Sequence, residues 1–415
     1  MNENKINYDL IVIGSGAAGI MSAIHAVRDG KKVLLLEKLP KIAAKLKATG
    51  GGRCNLTNTL SDVDFMACFG REGRFMSEAL TALNHKDLME FFSQINVETH
   101  APDGVRVFPI THSSSTIIAA LENEMKRLEV TIKCSCEVKE ITFNASGITG
   151  VSTQFDTYKS SYVVVATGGL GYPVLGAHGD GYEFAKSVGH KVTQLSPAMM
   201  PLHVKETWVG NCRADTIAKV TMRVNLPKEK KLQAQGDLIF TKSGIRGPVV
   251  LDFAREITPL LKKYREVPLL MNLTKGMNEE QIRNHFKNEA FKNPEATVAE
   301  VMVTLLPEAL CNELCILVEV GLTGRYKKLE GKKRDNLIKI LAWTPLTVTG
   351  HDGFKMAMIT RGGVSLKEIN PKSMESKLIK GLYFCGEVLD LDGPCGGYNL
   401  QWSFASGYLA GALHG

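Results

Sequence analysis

Residues 8–37 restrict the fold more than any other part of the chain. They read YDLIVIG, GSGAAG, IMSAIHAVRDG and KKVLLLE in succession. The first run is continuously apolar, as expected of a strand buried on both faces. The third repeats its apolar positions at helical spacing and stops at Gly30, and the fourth is a second buried strand. The product is a parallel β-α-β unit whose first turn is Gly14-Ser15-Gly16-Ala17-Ala18-Gly19. In such a turn Gly14 permits the tight bend, Gly16 lets backbone approach a pyrophosphate, and Gly19 lets the helix sit close to the strand. The helix start adds unpaired N–H groups and a positive dipole end. Glu37 closes the second strand eighteen positions beyond Gly19, where a carboxylate meets ribose hydroxyls and disfavours a 2′-phosphate. A glycine-rich turn alone arises easily by chance, but here strand, helix, strand and acid fall in register. The ligand is a dinucleotide, with FAD and NAD both open on these residues.

The stretch ATGGGRCNLTN (48–58) follows closely. Lys38, Lys41, Lys45 and Lys47 crowd the approach to it, where positive charge near a pyrophosphate and an ordinary solvated loop are equally good readings. Gly50, Gly51 and Gly52 can present successive N–H groups to an anion or let a flat ring come against bare backbone. That makes 50–55 a second wall of the same site.

Composition excludes several classes. A 415-residue chain with 44% hydrophobic and 22% charged residues has the makeup of a globular protein of two or three domains. No apolar run reaches membrane-spanning length, and MNENKINYDLIVIG enters a strand without the regions of a signal peptide, so a cytoplasmic protein off the membrane is expected. The nine cysteines show no disulfide framework and no zinc spacing, so no metal is expected. Cys134 and Cys136 sit two apart in a strand-like run and read as small buried residues on one face. Cys311 and Cys315, four apart in a helical run, read as core. The net charge of +7 resides in short runs such as 228–231 and 325–334, which are ordinarily solvated. Nucleic-acid binding is not favoured, because interleaved aromatics and a familiar binding module are missing.

Four segments together carry a resemblance: TGGGRCNLTN (49–58), ATGGLGYPVLGAHGDGYEFAKSVGH (166–190), FTKSGIRGPVVL (240–251) and GLYFCGEVLDLDGPCGGYNLQWSFASGYLAG (381–411). In order and across nearly the whole chain they resemble the bacterial FAD-dependent oxidoreductase family that includes aminoacetone oxidase and the BaiN-like bile-acid enone reductases. The resemblance implies an α/β, glutathione-reductase-like FAD-binding domain of Rossmann type, with FAD at the first glycine turn. It also implies that Gly386 and Glu387 meet the ribityl chain. Gly396, Gly397, Tyr398, Asn399 and Leu400 would open a helix aimed at the isoalloxazine, Thr167 and Gly168 would end the strand that returns under the cofactor, and Val138 would lie beside the adenine. The helix fits the chemistry independently, since a positive helix end favours a reduced, negatively charged flavin.

Around 192 the alternation of helix and strand gives way to short strand-like pieces, and from about 277 the pattern is helical. The expected division is 1–192 with 346–415 as the FAD domain, 193–276 as an inserted antiparallel, barrel-like β domain, and 277–345 as an inserted helical subdomain. A second complete G-x-G-x-x-G is missing, so NAD(P)H is expected at most as a transient reductant. FAD supplies hydride chemistry, leaving the protein to orient a small-molecule substrate and manage a proton. Tyr398, Tyr172 and His351 are the candidates for that proton, with both tyrosines read rather as walls of the pocket. Arg53 and Asn55 are candidates for holding the cofactor, as are Lys38, Gly51 and Gly52. Cys54 lacks a C-x-x-C partner and reads as structural. Amine oxidation by oxygen, enone reduction by NAD(P)H, and a flavin-containing RNA- or protein-binding module without turnover remain the three functional readings. Oligomeric state is not readable.

Overall fold

Five short strands form a parallel sheet in the order Leu382–Phe384, Val163–Val165, Leu10–Ile13, Val33–Leu36 and Thr131–Lys133. The computed structural model describes residues 7–413. Strands 10–13, 33–36, 163–165 and 382–384 are buried along their whole length, which explains the unbroken Val, Ile and Leu of the first three and the Leu-Tyr-Phe of the last. Their register aligns Phe384, Val165, Ile13, Leu36 and Lys133 in one row. The next residues of all five strands therefore emerge along a single carboxyl edge, the edge at which open α/β sheets bind ligands.

Helices Ala17–Arg28 and Tyr398–Gly411 pack on one another, and glycines permit the close approach. A Cβ on Gly407 would fall 2.2 Å from the Ala18 carbonyl oxygen, and one on Gly411 would fall 2.5 Å from that of Ser22. These pairings run the two helices parallel. Tyr398 precedes Gly407 by nine residues, so the N-terminus of the C-terminal helix projects about 12 Å beyond that of the first helix.

The chain divides into two units, Met1–Pro197 with Met358–Gly415, and Ala198–Ala357. In the second, six antiparallel strands close a barrel in the order Leu202–Val204, Gly244–Arg246, Gln233–Phe240, Thr216–Val224, Val267–Asn272 and Thr344–His351. One hydrophobic core joins the barrel to the helices that follow it, from Ile282 in Glu279–Lys292 to Leu341 in Gly331–Ala342. The structure thus differs from a division at 276 and 346. The strand Thr344–His351 bridges the first and fifth barrel strands, and without it the barrel would have two open edges. His351 accordingly belongs to the second unit. The 17-residue helix Pro248–Tyr264, unmarked in the sequence reading, interrupts the run of strands.

Cys134 and Cys136 correct another expectation. The strand Thr131–Lys133 stops before them, Ser135 turns at φ 52°, and the next strand, Val138–Asn144, belongs to a separate three-stranded meander. Cys134 is exposed and Cys136 buried, so they share no face. Cys311 and Cys315 are both buried in the helix Glu308–Leu317. All nine cysteines are free, and among the described residues no helix is long and apolar enough to cross a membrane.

Candidate cofactor site

The glycines at the sheet edge separate into two kinds. A Cβ on Gly14, whose φ is 99°, would lie 2.7 Å from the Ala166 carbonyl oxygen, and one on Gly19 would lie 1.9 Å from that of Gly14. The packing of turn, helix and neighbouring strand demands both. Gly16 is different: its φ is −75°, open to any residue, and nothing of the protein lies within 4 Å of where its Cβ would be. Neither strain nor crowding explains a glycine there, so close approach of something other than protein is the remaining physical reason. Gly51, Gly52 and Gly168 likewise have open space beside them, though their φ values of 66°, 87° and 70° also favour glycine.

Gly16 caps the helix Ala17–Arg28 with no side-chain hydrogen bond, and no acid stands in the first turn. The same holds for the helix Tyr398–Gly411, capped by Gly397. Two positive helix ends, pointing the same way and offset along their axes, suit an extended ligand with an anionic middle and an electron-rich far end. Gly397 has little freedom, because its Cβ would lie 2.4 Å from the Thr57 carbonyl oxygen. Asn58 Nδ2 donates to the Gly396 carbonyl at 3.1 Å. With its amide oriented to satisfy its neighbours, Asn55 donates to the carbonyls of Thr57 at 3.0 Å and Val107 at 3.1 Å and accepts the Gly397 N–H at 3.1 Å. Asn55 therefore braces the turn ahead of the C-terminal helix.

Glu37 leaves the second strand and turns back on the first glycine turn. Its carboxylate accepts the Ser15 N–H at 3.0 Å, the Ser15 hydroxyl at 2.5 Å and the Leu39 N–H at 2.8 Å. Carboxylate oxygens have further lone pairs for ribose hydroxyls. The Glu37 backbone is gripped on the other side, donating to Lys133 O and accepting from Cys136 N–H, both at 2.9 Å, which brings the segment leading to Val138 to this edge. Lys38 pairs with Asp180 rather than standing free for phosphate. Arg53 is exposed, donates to Gly50 O at 3.2 Å and lies over Phe108 at 5.6 Å, so in this conformation it braces its own loop.

Gly386, at φ 76°, nestles against Ala18 and donates to Ser406 Oγ at 2.9 Å. Glu387 is held by Lys45 Nζ at 2.6 Å and the Thr360 N–H at 2.9 Å, and Thr360 Oγ1 accepts the Leu170 N–H at 2.7 Å. Thr360 and Ser406 are site-shaping residues absent from the sequence reading. They lie 27 and 19 positions from Glu387 in isolated Ser/Thr contexts that carry no local signal. Asn399 secures the loop ahead of it by accepting the Gly393 N–H at 2.8 Å, and Leu400 packs on the core.

The three proton-handling candidates are not assembled alike. The Tyr398 ring packs beside Phe65 and Phe69, and its hydroxyl accepts from the Cys68 thiol at 3.5 Å, an aromatic-wall environment. Tyr172 is half-buried at φ 57° before the short turn Pro173–Leu175. His351, in the second unit, accepts the Gly353 N–H at Nδ1 (3.0 Å). Burial, followed by the charges of His203 and Lys262, lowers its pKa against the opposing pull of Asp352, which keeps the imidazole neutral near pH 7.

Cys54 is fully buried at φ 58°, and burial pushes its thiol up to about 11 against a small opposing hydrogen bond from Thr49. It is therefore protonated at neutral pH. We expect iodoacetamide at pH 8 to label exposed Cys134 in the native protein and leave Cys54 untouched, as read by peptide mapping. Comparable labelling of the two would overturn the structural role.

Residues 8–413 match the HI0933-like protein Rossmann domain family. The chain belongs to that family. It is 32% identical to the 3-dehydro-bile acid delta(4,6)-reductase of Clostridium scindens over 404 residues, covering 96% of this chain and 97% of the relative. It is 30% identical to the ribosomal RNA dihydrouridine synthase of Escherichia coli, covering 97% and 96% respectively. A solved 3-ketosteroid-delta4-(5alpha)-dehydrogenase from Rhodococcus jostii shares the fold, with a TM-score of 0.55 at 14% identity over 99% of this chain and 97% of that one. The protein is thus an FAD-dependent oxidoreductase, and the glycine edge described above fits that cofactor.

Proposed function

We propose that this chain reduces a carbon–carbon double bond conjugated to a carbonyl, with NAD(P)H as the source of electrons. One observation carries the reading. Both relatives described above align along almost their full length at 30% identity or more, and each name denotes saturation of such a bond, in a 3-oxo steroid acid or in a uracil ring. FAD, when bound, supplies the hydride chemistry.

The chain's own residues supply the rest. Gly14, Ser15 and Gly16 with the start of the helix Ala17–Arg28 would hold the pyrophosphate, and Glu37 and the segment at Val138 the adenosine half. Thr167, Gly168, Gly386 and Glu387 would hold the ribityl chain, with Lys45 and Thr360 fixing the Glu387 carboxylate. Gly51 and Gly52 would face the ring. The N-terminus of the helix Tyr398–Gly411, which has no side-chain cap and no acid in its first turn, would stabilise negative charge there through its dipole, a contribution of about 0.3–1 kcal/mol in exposed sites and more when water is excluded. Tyr398 walls the site. No dedicated nicotinamide domain accompanies the FAD unit among the described residues, so NAD(P)H would act as a visiting reductant.

The test is anaerobic mixing of flavin-loaded protein with NADH, NADPH or aminoacetone in separate runs. Bleaching of the visible absorbance by a nicotinamide, and its recovery on adding a 4-en-3-oxo steroid or a uridine-containing RNA without oxygen, is the expected result. Bleaching by aminoacetone alone, with recovery only in oxygen, would establish an amine oxidase instead.

A further inference from the structure

The excess positive charge is confined to one unit. Residues 198–357 hold 25 Lys and Arg against 18 Asp and Glu, whereas the rest of the chain holds 25 of each. The FAD unit is thus formally neutral, and the whole +7 belongs to the barrel and its helices. Cofactor phosphates do not account for that placement.

Within the second unit, two basic segments converge. The hairpin Thr216–Val224 and Gln233–Phe240 carries the loop 225–232, with Lys228, Lys230 and Lys231. The helix Pro248–Tyr264 ends in Lys262 and Lys263, and Arg265 leads into the strand Val267–Asn272. The Asn225 N–H donates to Pro268 O at 2.8 Å, joining the loop to this junction. The Lys263 pKa is raised mainly by the Tyr264 hydroxyl and also by Glu229 of the loop, which places the two segments within electrostatic reach. All six cations are exposed. Only two acids stand among them, Glu229 and Glu266, and Glu266 pairs with Lys205 at 3.4 Å. Tyr264 is exposed, and Lys263 lies over its ring at 4.6 Å. Lys262-Lys263-Tyr264-Arg265 thus sets an aromatic ring among the cations, which corrects the expectation that interleaved aromatics are missing.

We infer that this end of the barrel docks single-stranded RNA, its lysines on the phosphate backbone and Tyr264 against a base. Phosphate neutralisation needs several mobile cations on one exposed surface, and a base needs an accessible π face; both are present. The inference rests on the reductase reading for its purpose, since a uracil acceptor held in RNA requires a protein surface to hold the strand. The name of the Escherichia coli relative points to the same polymer.

The run 325–334 provides an internal control, being equally basic. Lys332 and Lys333 stand in the first turn of Gly331–Ala342, and Lys327 and Lys328 precede it, all outside the convergent loop and junction. The experiment follows the anisotropy of a fluorescein-labelled, mixed-sequence 30-nucleotide RNA titrated with the flavin-loaded full chain between 50 and 300 mM KCl. Six phosphate contacts predict a log Kd against log salt dependence of order four, at about 0.7 per contact for single strands. The triple variant Lys228→Gln, Lys230→Gln, Lys231→Gln should lower it by about 2 and weaken binding at least ~10-fold at 100 mM. Tyr264→Ala should weaken binding about 5- to 100-fold with the salt dependence unchanged. Lys327→Gln, Lys328→Gln, Lys332→Gln in one chain should change Kd less than about twofold, because cations outside the docking surface release no counterions.

Absence of RNA binding, equal losses in the two triple variants, or displacement of RNA by duplex DNA phosphate for phosphate would each overturn the proposal. Steroid-enone reduction, measured in parallel, separates the outcomes. If it persists while RNA binding fails, the docking inference falls alone. If wild-type protein binds RNA but reduces neither acceptor, the reductase reading falls.

Discussion

Gly16→Val yields a folded protein that does not retain flavin. The expectation follows from a glycine whose absent side chain meets nothing. Its φ of −75° suits valine, no protein atom lies within 4 Å of the new Cβ, and the helix cap loses about 1 kcal/mol or less. The added carbons would occupy the space through which a pyrophosphate reaches the helix N-terminus. Loss of two charge-assisted hydrogen bonds, each about 1.5–3 kcal/mol, weakens FAD by at least ~100-fold.

Gly19→Ala, only three residues away, should behave in the opposite way. Its Cβ would sit 1.9 Å from the Gly14 carbonyl oxygen, so strand and helix must separate, and overpacking of about 3 kcal/mol or more destabilises the apo-protein itself. Circular dichroism melts of both apo-variants, with flavin fluorescence on titration, distinguish the cases. A Gly16→Val protein that purifies yellow with wild-type affinity would remove the pyrophosphate from this turn.

Glu37→Ala should damage both the turn and the cofactor. Its carboxylate is the acceptor for the Ser15 and Leu39 N–H groups, and Ser15 is buried. An unsatisfied buried donor costs about 1–3 kcal/mol, so the apo-protein should lose about 2–3 kcal/mol before any ligand is considered. Removing the acceptor for ribose hydroxyls adds a loss in FAD affinity. Glu37→Gln keeps the shape and one acceptor oxygen, and should retain most stability with weaker flavin binding. Glu37→Arg, which also brings bulk and a cation to the turn, should lose both. Full flavin occupancy in Glu37→Arg would place the adenosine half elsewhere.

The first thirty informative residues predicted their own structure because each determinant is local. The strand, the turn, the helix and Glu37 interact within one β-α-β unit, and the spacing of glycines encodes the geometry directly. The turns at 167–168, 386–387 and 396–400 were assigned to the cofactor through resemblance, and only the positive helix end at 396–400 added a physical reason. The first two share one sheet edge through the parallel register of Val163–Val165 and Leu382–Phe384, strands of three residues with no pairing signal of their own, and the third is held by Asn55 and Asn58.

The same contrast explains the errors. Cys134 and Cys136 looked like one strand face until Ser135 adopted a positive φ, a choice made by the switch between two sheets. Thr344–His351 looked like a return to the first domain because nothing in eight residues states which sheet lacks an edge. Lysine runs that seemed equivalent in sequence differ in space: one meets the end of the helix Pro248–Tyr264 and an exposed tyrosine, and the other lies along the region of Gly331–Ala342.

Hydrophobic periodicity and glycine spacing, acting over a few residues, determined that this chain builds a dinucleotide cradle. Which glycines have open space beside them and which face protein, and which cations share a surface, were decided only by tertiary packing. Those properties depend on atoms brought together from positions tens to hundreds of residues apart, whose distances no local pattern encodes.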